Sequence, residues 1–85
     1  MIKAWQDEAW DDYLYWRTQD KKTFNRINKL IQAIDRSPFE GIGKPEPLRH
    51  EFQGYWSRRI DGTNRLIYEI KEDMILTVQC RTHYD

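Results

Sequence analysis

The stretch NRLIYEIKEDMILTVQC, residues 64–80, decides the fold, because apolar and polar side chains alternate in both of its halves. A period of two puts successive side chains on opposite faces of a strand, so we predict strands at Asn64–Ile70 and Met74–His83. The charged run Lys71-Glu72-Asp73 predicts the turn between them. The face that is predicted to be buried consists of Leu66, Tyr68, Ile70, Met74, Leu76, Val78 and Cys80.

The opposite face of these strands is predicted to be polar and to share its residues with a preceding strand, Tyr55–Ile60. Burying Trp56 and Ile60 beside Leu66 requires an odd-numbered loop, which places Arg59 on the outer face with Arg65. The Asp61-Gly62 pair alone favours a two-residue turn and the opposite register. We prefer the register that buries the apolar side chains. The predicted outer residues of the last two strands are Arg65, Glu69, Thr77, Gln79, Arg81 and His83.

Working outward to the N-terminus, residues 1–5 predict a short strand and residues 7–36 predict two helices. Asp7 and Glu8 favour the start of the first helix, whose predicted inner stripe is Trp10, Tyr13 and Leu14. The second helix is predicted from about Asp20 to Arg36, where Ser37-Pro38 ends it. The expected fold is α+β: an N-terminal strand and an αα-hairpin pack on a mainly antiparallel twisted sheet, as one domain spanning residues 1–85.

Composition narrows the function classes. The 14 basic and 14 acidic residues cancel, so bulk charge does not favour nucleic-acid binding, and any RNA site must be local. A single cysteine allows no internal disulfide, and neither a signal peptide nor a membrane span is found. We therefore expect a cytoplasmic protein. Four Trp, five Tyr and three Phe are enough to close a small core.

The loop before the sheet completes a group of residues suited to RNA cleavage. Pro38, Pro45 and Pro47 stiffen residues 38–48, which carry Glu46. Attack of a ribose 2′-OH on the adjacent phosphorus needs a proton acceptor, a proton donor and a cation for the dianionic phosphorane. Glu46 is the candidate base, His83 the acid and Arg65 the phosphate-binding cation. Tyr84 is a candidate for stacking on a base.

The same residues carry a resemblance to a known family. The segments PFEGIGKPEPL (residues 38–48), GYWSRRI (54–60), RLIY (65–68) and CRTHY (80–84) closely resemble the YoeB toxins of the RelE/ParE superfamily, which has a microbial ribonuclease-like fold. The resemblance implies a type II toxin that cleaves mRNA in the ribosomal A site. Its catalytic residues match Glu46, Arg65, His83 and Tyr84. Further RNA-binding candidates are Lys44, Arg49, Arg59 and Arg81.

The resemblance also implies partners. A YefM-type antitoxin inhibits such toxins, and the pair represses its own operon, so operator DNA is contacted only through the complex. The ribosome (30S A site) and mRNA are the expected substrate assembly. A homodimer is expected from the family and from three aromatic residues that we predict to be exposed, Trp5, Tyr15 and Trp16. Asp85 lies beyond the family's terminal tyrosine.

Other functions remain in competition with the ribonuclease. A ParE-like toxin shares the fold but inhibits DNA gyrase without cutting RNA. A pure interaction module would use the basic face only for the antitoxin, and Arg65 and Arg81 could then simply pair with Glu69 on an exposed sheet.

Metal and phosphate-loop sites are not expected. The odd spacing of Cys80 and His83 on a strand sends them to opposite faces, so Cys80 is predicted to be a core residue. Lys44 in GIGK is followed by Pro45 rather than by Ser or Thr. No metal or cofactor is expected.

Overall fold

The computed structural model describes residues 1–82, and the predictions made for His83 and Tyr84 lie outside that range. Within it, helices and strands follow the predicted α+β order, and neither helix is long and apolar enough to cross a membrane. In chain order the elements are β1 (Ile2–Trp5), α1 (Asp7–Gln19), α2 (Lys21–Arg36), β2 (Glu46–Pro47), a 3₁₀ turn (His50–Phe52), β3 (Trp56–Arg59), β4 (Arg65–Lys71) and β5 (Met74–Gln79).

The five strands form one sheet in the order β1-β5-β4-β3-β2. β1 runs parallel to β5, and every other neighbouring pair is antiparallel. The apolar stripe of α2 packs on one face of this sheet, as its helical spacing predicted. The core consists of Ile27, Leu30, Ile31 and Ile34 from α2, together with Ile60, Leu66, Tyr68, Ile75 and Cys80.

The start of α2 is fixed by an aspartate whose contribution depends on pH. Asp20 accepts hydrogen bonds from the Lys22 and Thr23 backbone N–H groups at 3.1 and 3.3 Å, and from the Thr23 hydroxyl at 2.8 Å. The bonds from Thr23 hold the pKa of the Asp20 carboxyl below its ordinary value. The stabilisation is therefore present above the unfolded-state pKa, and it is lost as the pH falls below about 4.

We expect Asp20→Asn to weaken the acid sensitivity of the fold. Asparagine caps a helix about as well as aspartate but carries no titrating charge. The free energy of unfolding, measured in urea, should fall less in the variant than in the wild type between about pH 5 and pH 3. The matched control Asp11→Asn changes an exposed carboxylate on α1 and should keep the wild-type pH dependence. Identical slopes for Asp20→Asn and wild type would contradict the assignment.

The register between β4 and β5 corrects the predicted inner face of β5. Lys71 pairs with Met74, so the turn has two residues, and Ile75 and Thr77 are the buried residues of β5. Lys71 is the last residue of β4 rather than part of the turn, and a shift of one residue reverses the side-chain directions. The predicted inward direction of Met74, Leu76 and Val78 is therefore wrong, as is the predicted outward direction of Thr77.

A β-bulge near the end of β5 restores the predicted faces beyond it. Ile67 pairs with Gln79, but the next pair along β4 involves Thr77, which leaves Val78 as an extra residue. The extra residue shifts the alternation by one. Gln79 consequently lies on the outer face, and Cys80 is fully buried, as predicted.

The inner side of α1 also differs from the predicted stripe. Ala9 and Asp12 are buried, whereas Trp10 is 44% exposed and Leu14 is 36% exposed, so the prediction for these two apolar residues is wrong. Tyr13 packs against the core, as predicted. The small Ala9 lets α1 approach the sheet closely, which a count of large apolar residues does not reveal.

The exposed aromatic residues were only partly predicted. Tyr15 is 36% exposed. Trp5 and Trp16, which we expected to be exposed, pack against the core instead. The Trp16 indole N–H donates a hydrogen bond of 2.9 Å to the backbone carbonyl of Cys80, so this ring ties α1 to the end of β5.

Candidate active site

The strand register arranges the outer face of the sheet in rows. Glu46 on β2 pairs with Ser57 on β3. Ser57 pairs with Ile67 on β4, which pairs in turn with Gln79 on β5. Paired residues lie side by side on one face with their Cα atoms about 5 Å apart. Glu46 therefore stands at the end of a row that crosses four strands.

A second row, two residues along β3, brings two arginines together. Arg59 pairs directly with Arg65, and the Ile60 backbone N–H donates to the Asn64 carbonyl at 3.0 Å across a three-residue loop. The predicted odd loop and the outward direction of Arg59 are thus confirmed. With a rise of about 3.4 Å per residue and strands about 4.8 Å apart, the Cα atoms of Glu46 and Arg59 are separated by about 8 Å. Long side chains span that gap.

Glu46 has the freedom that a proton acceptor needs. Its side chain is exposed at the sheet edge, and within residues 1–82 its carboxylate has neither a hydrogen-bond partner nor a salt bridge. Pro45 and Pro47 fix the backbone φ on both sides of it. Two backbone bonds hold this segment: Leu48 N–H to the Tyr55 carbonyl at 2.9 Å, and Arg59 N–H to the Gly43 carbonyl at 2.7 Å.

Arg65 is half-buried, and its guanidinium is held in place by hydrogen bonds from one nitrogen, Nη1. Its Nη1 donates to the carbonyls of Asp61 at 2.8 Å and Asn64 at 3.1 Å. Nε and Nη2 form no hydrogen bond to any residue in 1–82. This pair of nitrogens is the edge with which arginine binds phosphate oxygens.

The remaining RNA-binding candidates divide into two groups. Lys44 and Arg49 are exposed on either side of Glu46, and neither forms a salt bridge within the described part of the chain. Arg81 stands apart, because β5 ends at Gln79 and does not reach the predicted end at His83. The guanidinium carbon of Arg81 lies 3.6 Å from the centroid of the Tyr15 ring on α1.

Arg58 is a residue of the site region whose role was not predicted from the sequence. Its side chain is fully buried between the sheet and the loop that leads to Glu46. Its nitrogens donate to the Tyr68 hydroxyl at 3.2 Å and to the carbonyls of Ile42 at 3.1 Å, Ser37 at 2.7 Å and Glu40 at 2.9 Å. Arg58 therefore fastens residues 37–42 to β3.

Tyr68 supports the same loop from β4. Its hydroxyl accepts from Arg58 and donates to the Pro38 carbonyl at 2.7 Å. Burial raises the pKa of this phenol, so the hydroxyl remains a proton donor at neutral pH. The predicted odd-numbered loop did imply the inward direction of Arg58, because neighbouring residues of a strand point to opposite faces and Arg59 was predicted to point outward.

Gly43 marks the point where the loop meets the core. Its φ is +84°, and a Cβ there would lie 2.8 Å from a Leu30 methyl and 3.1 Å from the Arg58 Cβ. Gly54 also has a positive φ, +99°, but a Cβ would meet nothing within 4 Å. A substitution at Gly54 therefore meets only the cost of an unfavourable φ, whereas one at Gly43 meets that cost and a steric overlap as well.

We expect Gly43→Ala to destabilise the protein more than Gly54→Ala. Both substitutions place alanine at positive φ, which costs about 1–3 kcal/mol. Gly43→Ala adds an overlap with Leu30 and Arg58, worth roughly another 1–3 kcal/mol. Urea denaturation of the two variants measures the difference. Equal losses of unfolding free energy would show that the loop around Gly43 moves to relieve the overlap at no cost in stability.

Cys80 takes no part in the site. The thiol is fully buried, and burial raises its pKa to about 12, with a smaller contribution from the charge of Asp12. A thiol with that pKa is not a nucleophile at neutral pH.

Comparisons with known proteins agree with this architecture. A family model for the YoeB-like toxin of bacterial type II toxin–antitoxin systems matches residues 5–84. The toxin YoeB of Escherichia coli is 52% identical over 84 residues, covering 99% of this chain and 100% of the relative.

Two solved structures from Staphylococcus aureus have the same fold. The toxin in the heterotetrameric YoeB–YefM toxin–antitoxin complex is 40% identical with a TM-score of 0.95, covering 99% of this chain and 98% of that one. The YoeB dimer is 40% identical with a TM-score of 0.92 and the same coverage.

Proposed function

Because the chain belongs to the YoeB-like toxins of bacterial type II toxin–antitoxin systems, we propose that it is an endoribonuclease that cleaves mRNA in the ribosomal A site. The observation that carries the proposal is the pairing of Arg59 with Arg65 beside the free carboxylate of Glu46. Neither arginine forms a salt bridge within residues 1–82. Like charges directly opposite on neighbouring strands repel, and a backbone phosphate placed between them relieves the repulsion.

In the proposed reaction each of these residues has a separate role. Glu46 accepts the proton of the ribose 2′-OH, and that oxygen attacks the adjacent phosphorus. Arg65, aided by Arg59, stabilises the dianionic phosphorane. His83 donates a proton to the departing 5′-oxygen, which leaves a 2′,3′-cyclic phosphate. Tyr84 orients the reacting nucleotide by stacking.

The basic residues around this group are proposed to hold the RNA strand. Lys44 and Arg49 flank Glu46 and would contact neighbouring phosphates. Arg81 would contact RNA or ribosome from the α1 side, where it stacks on Tyr15. Since net charge is zero, the ribosome must supply part of the binding energy and the orientation of the message.

The proposed partners follow from the family and from the S. aureus relatives. A YefM-type antitoxin would hold the toxin inactive, and the complex would repress its own operon by contacting operator DNA through the antitoxin. A homodimer is proposed in parallel with the YoeB dimer. We place the protein in the cytoplasm, where its substrate is translated.

Primer extension on an mRNA in a reconstituted translation reaction tests the function. The wild type and His83→Gln are compared with and without ribosomes. Cuts inside codons that need ribosomes and disappear in the variant are the expected result. If neither condition gives cleavage while the protein remains toxic in cells, the ribonuclease proposal fails, and a ParE-like gyrase inhibitor or a pure interaction module replaces it.

A further inference from the structure

An apolar cleft lies on the outer face of the sheet; Glu46 does not line it, but Leu48, two residues further along the chain, does. The cleft has a volume of about 310 Å³, and its lining includes Leu48, Ile67 and Gln79. Ile67 and Gln79 belong to the same row as Glu46, and Leu48 lies two residues beyond it on the same face. Two residues of extended chain span about 6.8 Å, so a group bound in the cleft would sit next to the proposed reaction centre.

Aromatic and aliphatic side chains form the walls of the cleft. Tyr55 and Phe52 contribute rings, and Val78, the extra residue of the β-bulge, contributes to the lining. Phe52 is 54% exposed, so its ring is open to a ligand. Exposed aromatic rings beside cationic groups are the means by which proteins stack unpaired bases.

Two amide side chains add hydrogen-bonding capacity to the cleft. Gln6, just after β1, and Gln79, on β5, both line it. Neither amide forms a hydrogen bond to any other residue in the range 1–82. An amide offers both donors and an acceptor and can read the edge of a nucleobase. An apolar side chain of a protein partner would leave both amides unpaired on burial, which is unfavourable.

We propose that this cleft binds one unpaired nucleobase of the substrate RNA, adjacent to the bond that is cleaved. Phe52 and Tyr55 stack on the base, and Gln79 and Gln6 contact its edge. The inference rests on the proposed ribonuclease function, and it adds a determinant of sequence preference to it. The phosphate of the same strand then lies towards Glu46 and the Arg59–Arg65 pair.

Nucleotide binding tests the cleft without requiring cleavage. The ¹⁵N-labelled protein is titrated with each of the four nucleoside 5′-monophosphates and with ribose 5-phosphate, and the side-chain amide signals of Gln6 and Gln79 are followed. We expect both signals to shift with at least one nucleotide and not with ribose 5-phosphate. No shift, or equal shifts with the sugar phosphate, overturns the proposal.

Matched variants then examine the stacking contribution. Phe52→Ala should weaken nucleotide binding about 5- to 150-fold, the range expected for loss of one stacking aromatic. Phe39→Ala removes a ring that is similarly exposed, at 51%, but does not line the cleft, and it should bind as the wild type does. Equal effects of the two substitutions overturn the assignment of Phe52.

Cut-site sequencing links the cleft to specificity. Gln79→Leu should change the base distribution at one fixed position relative to the cut. If the wild type cuts RNA but the variant keeps the same distribution, the specificity role fails while the ribonuclease function stands. If the wild type cuts no RNA, the ribonuclease function fails, and the nucleotide titration alone decides whether the cleft is a base site.

Discussion

Glu46→Gln should reduce ribosome-dependent mRNA cleavage by about 10²- to 10⁴-fold, the usual contribution of one general base. Glutamine has nearly the same shape as glutamate but cannot accept the proton of the 2′-OH. The side chain is exposed and has no partner within residues 1–82, so its replacement removes no contact that holds the fold together. Single-turnover cleavage on programmed ribosomes gives the rate, and urea denaturation gives the stability.

The matched control for this substitution is Glu72→Gln. Glu72 is an exposed glutamate in the turn between β4 and β5, far from the row that contains Glu46. Its replacement changes net charge by the same amount and should leave the cleavage rate within a factor of about two, as for a surface substitution. Cleavage by Glu46→Gln at the wild-type rate would show that another group accepts the proton.

The position of Arg59 beside Arg65 on the outer face was predictable because a simple physical choice determined it. Trp56 and Ile60 are too apolar to face water, so the loop between β3 and β4 had to be odd, and Arg59 had to lie beside Arg65. Local turn preference at Asp61-Gly62 favoured the other answer and was overridden by burial. Glu46 was predicted only to lie in a stiff loop before the sheet, and its pairing, as part of strand β2, with Ser57 was not predicted.

The β4–β5 hairpin was not predictable in the same way. Apolar residues occur on both faces of β5, since Met74, Leu76 and Val78 alternate with Ile75 and Thr77. Alternation alone therefore could not choose between registers that differ by one residue. The bulge at Val78 compensated for the error beyond it, which is why Cys80 was placed correctly although Thr77 was not.

The burial of Arg58 depended on acceptors that sequence patterns do not reveal. The three carbonyls that it reaches belong to residues 16 to 21 positions earlier in the chain. Loop carbonyls carry no sequence signature. The sequence therefore does not show which acceptors would bind a charged side chain that points inward. The loop that presents Glu46 is consequently held by a contact that only the folded chain shows.

Arg58→Met should destabilise the protein by about 3–5 kcal/mol, a large part of the stability of a domain this size. Methionine fills a comparable volume but donates no hydrogen bonds. A buried charged pair can often be replaced by apolar residues at little cost, because both polar partners are removed. Here the acceptors are backbone carbonyls of Ser37, Glu40 and Ile42, which remain in place and lose their donor.

The neighbouring residue supplies the control for this prediction, because Arg58 and Arg59 differ in direction rather than in chemistry. Arg59→Met should keep the unfolding free energy within about 0.5 kcal/mol of wild type, since its side chain is exposed, yet it should lower mRNA cleavage.

Arg58→Lys should be destabilised as well, because one ammonium cannot reproduce a guanidinium that reaches four acceptors. A wild-type urea midpoint for Arg58→Met would mean that the loop carbonyls find water instead. The position of Glu46 would then depend on Pro45, Pro47, the β2–β3 pairing and the backbone bond from Arg59 to Gly43 rather than on Arg58.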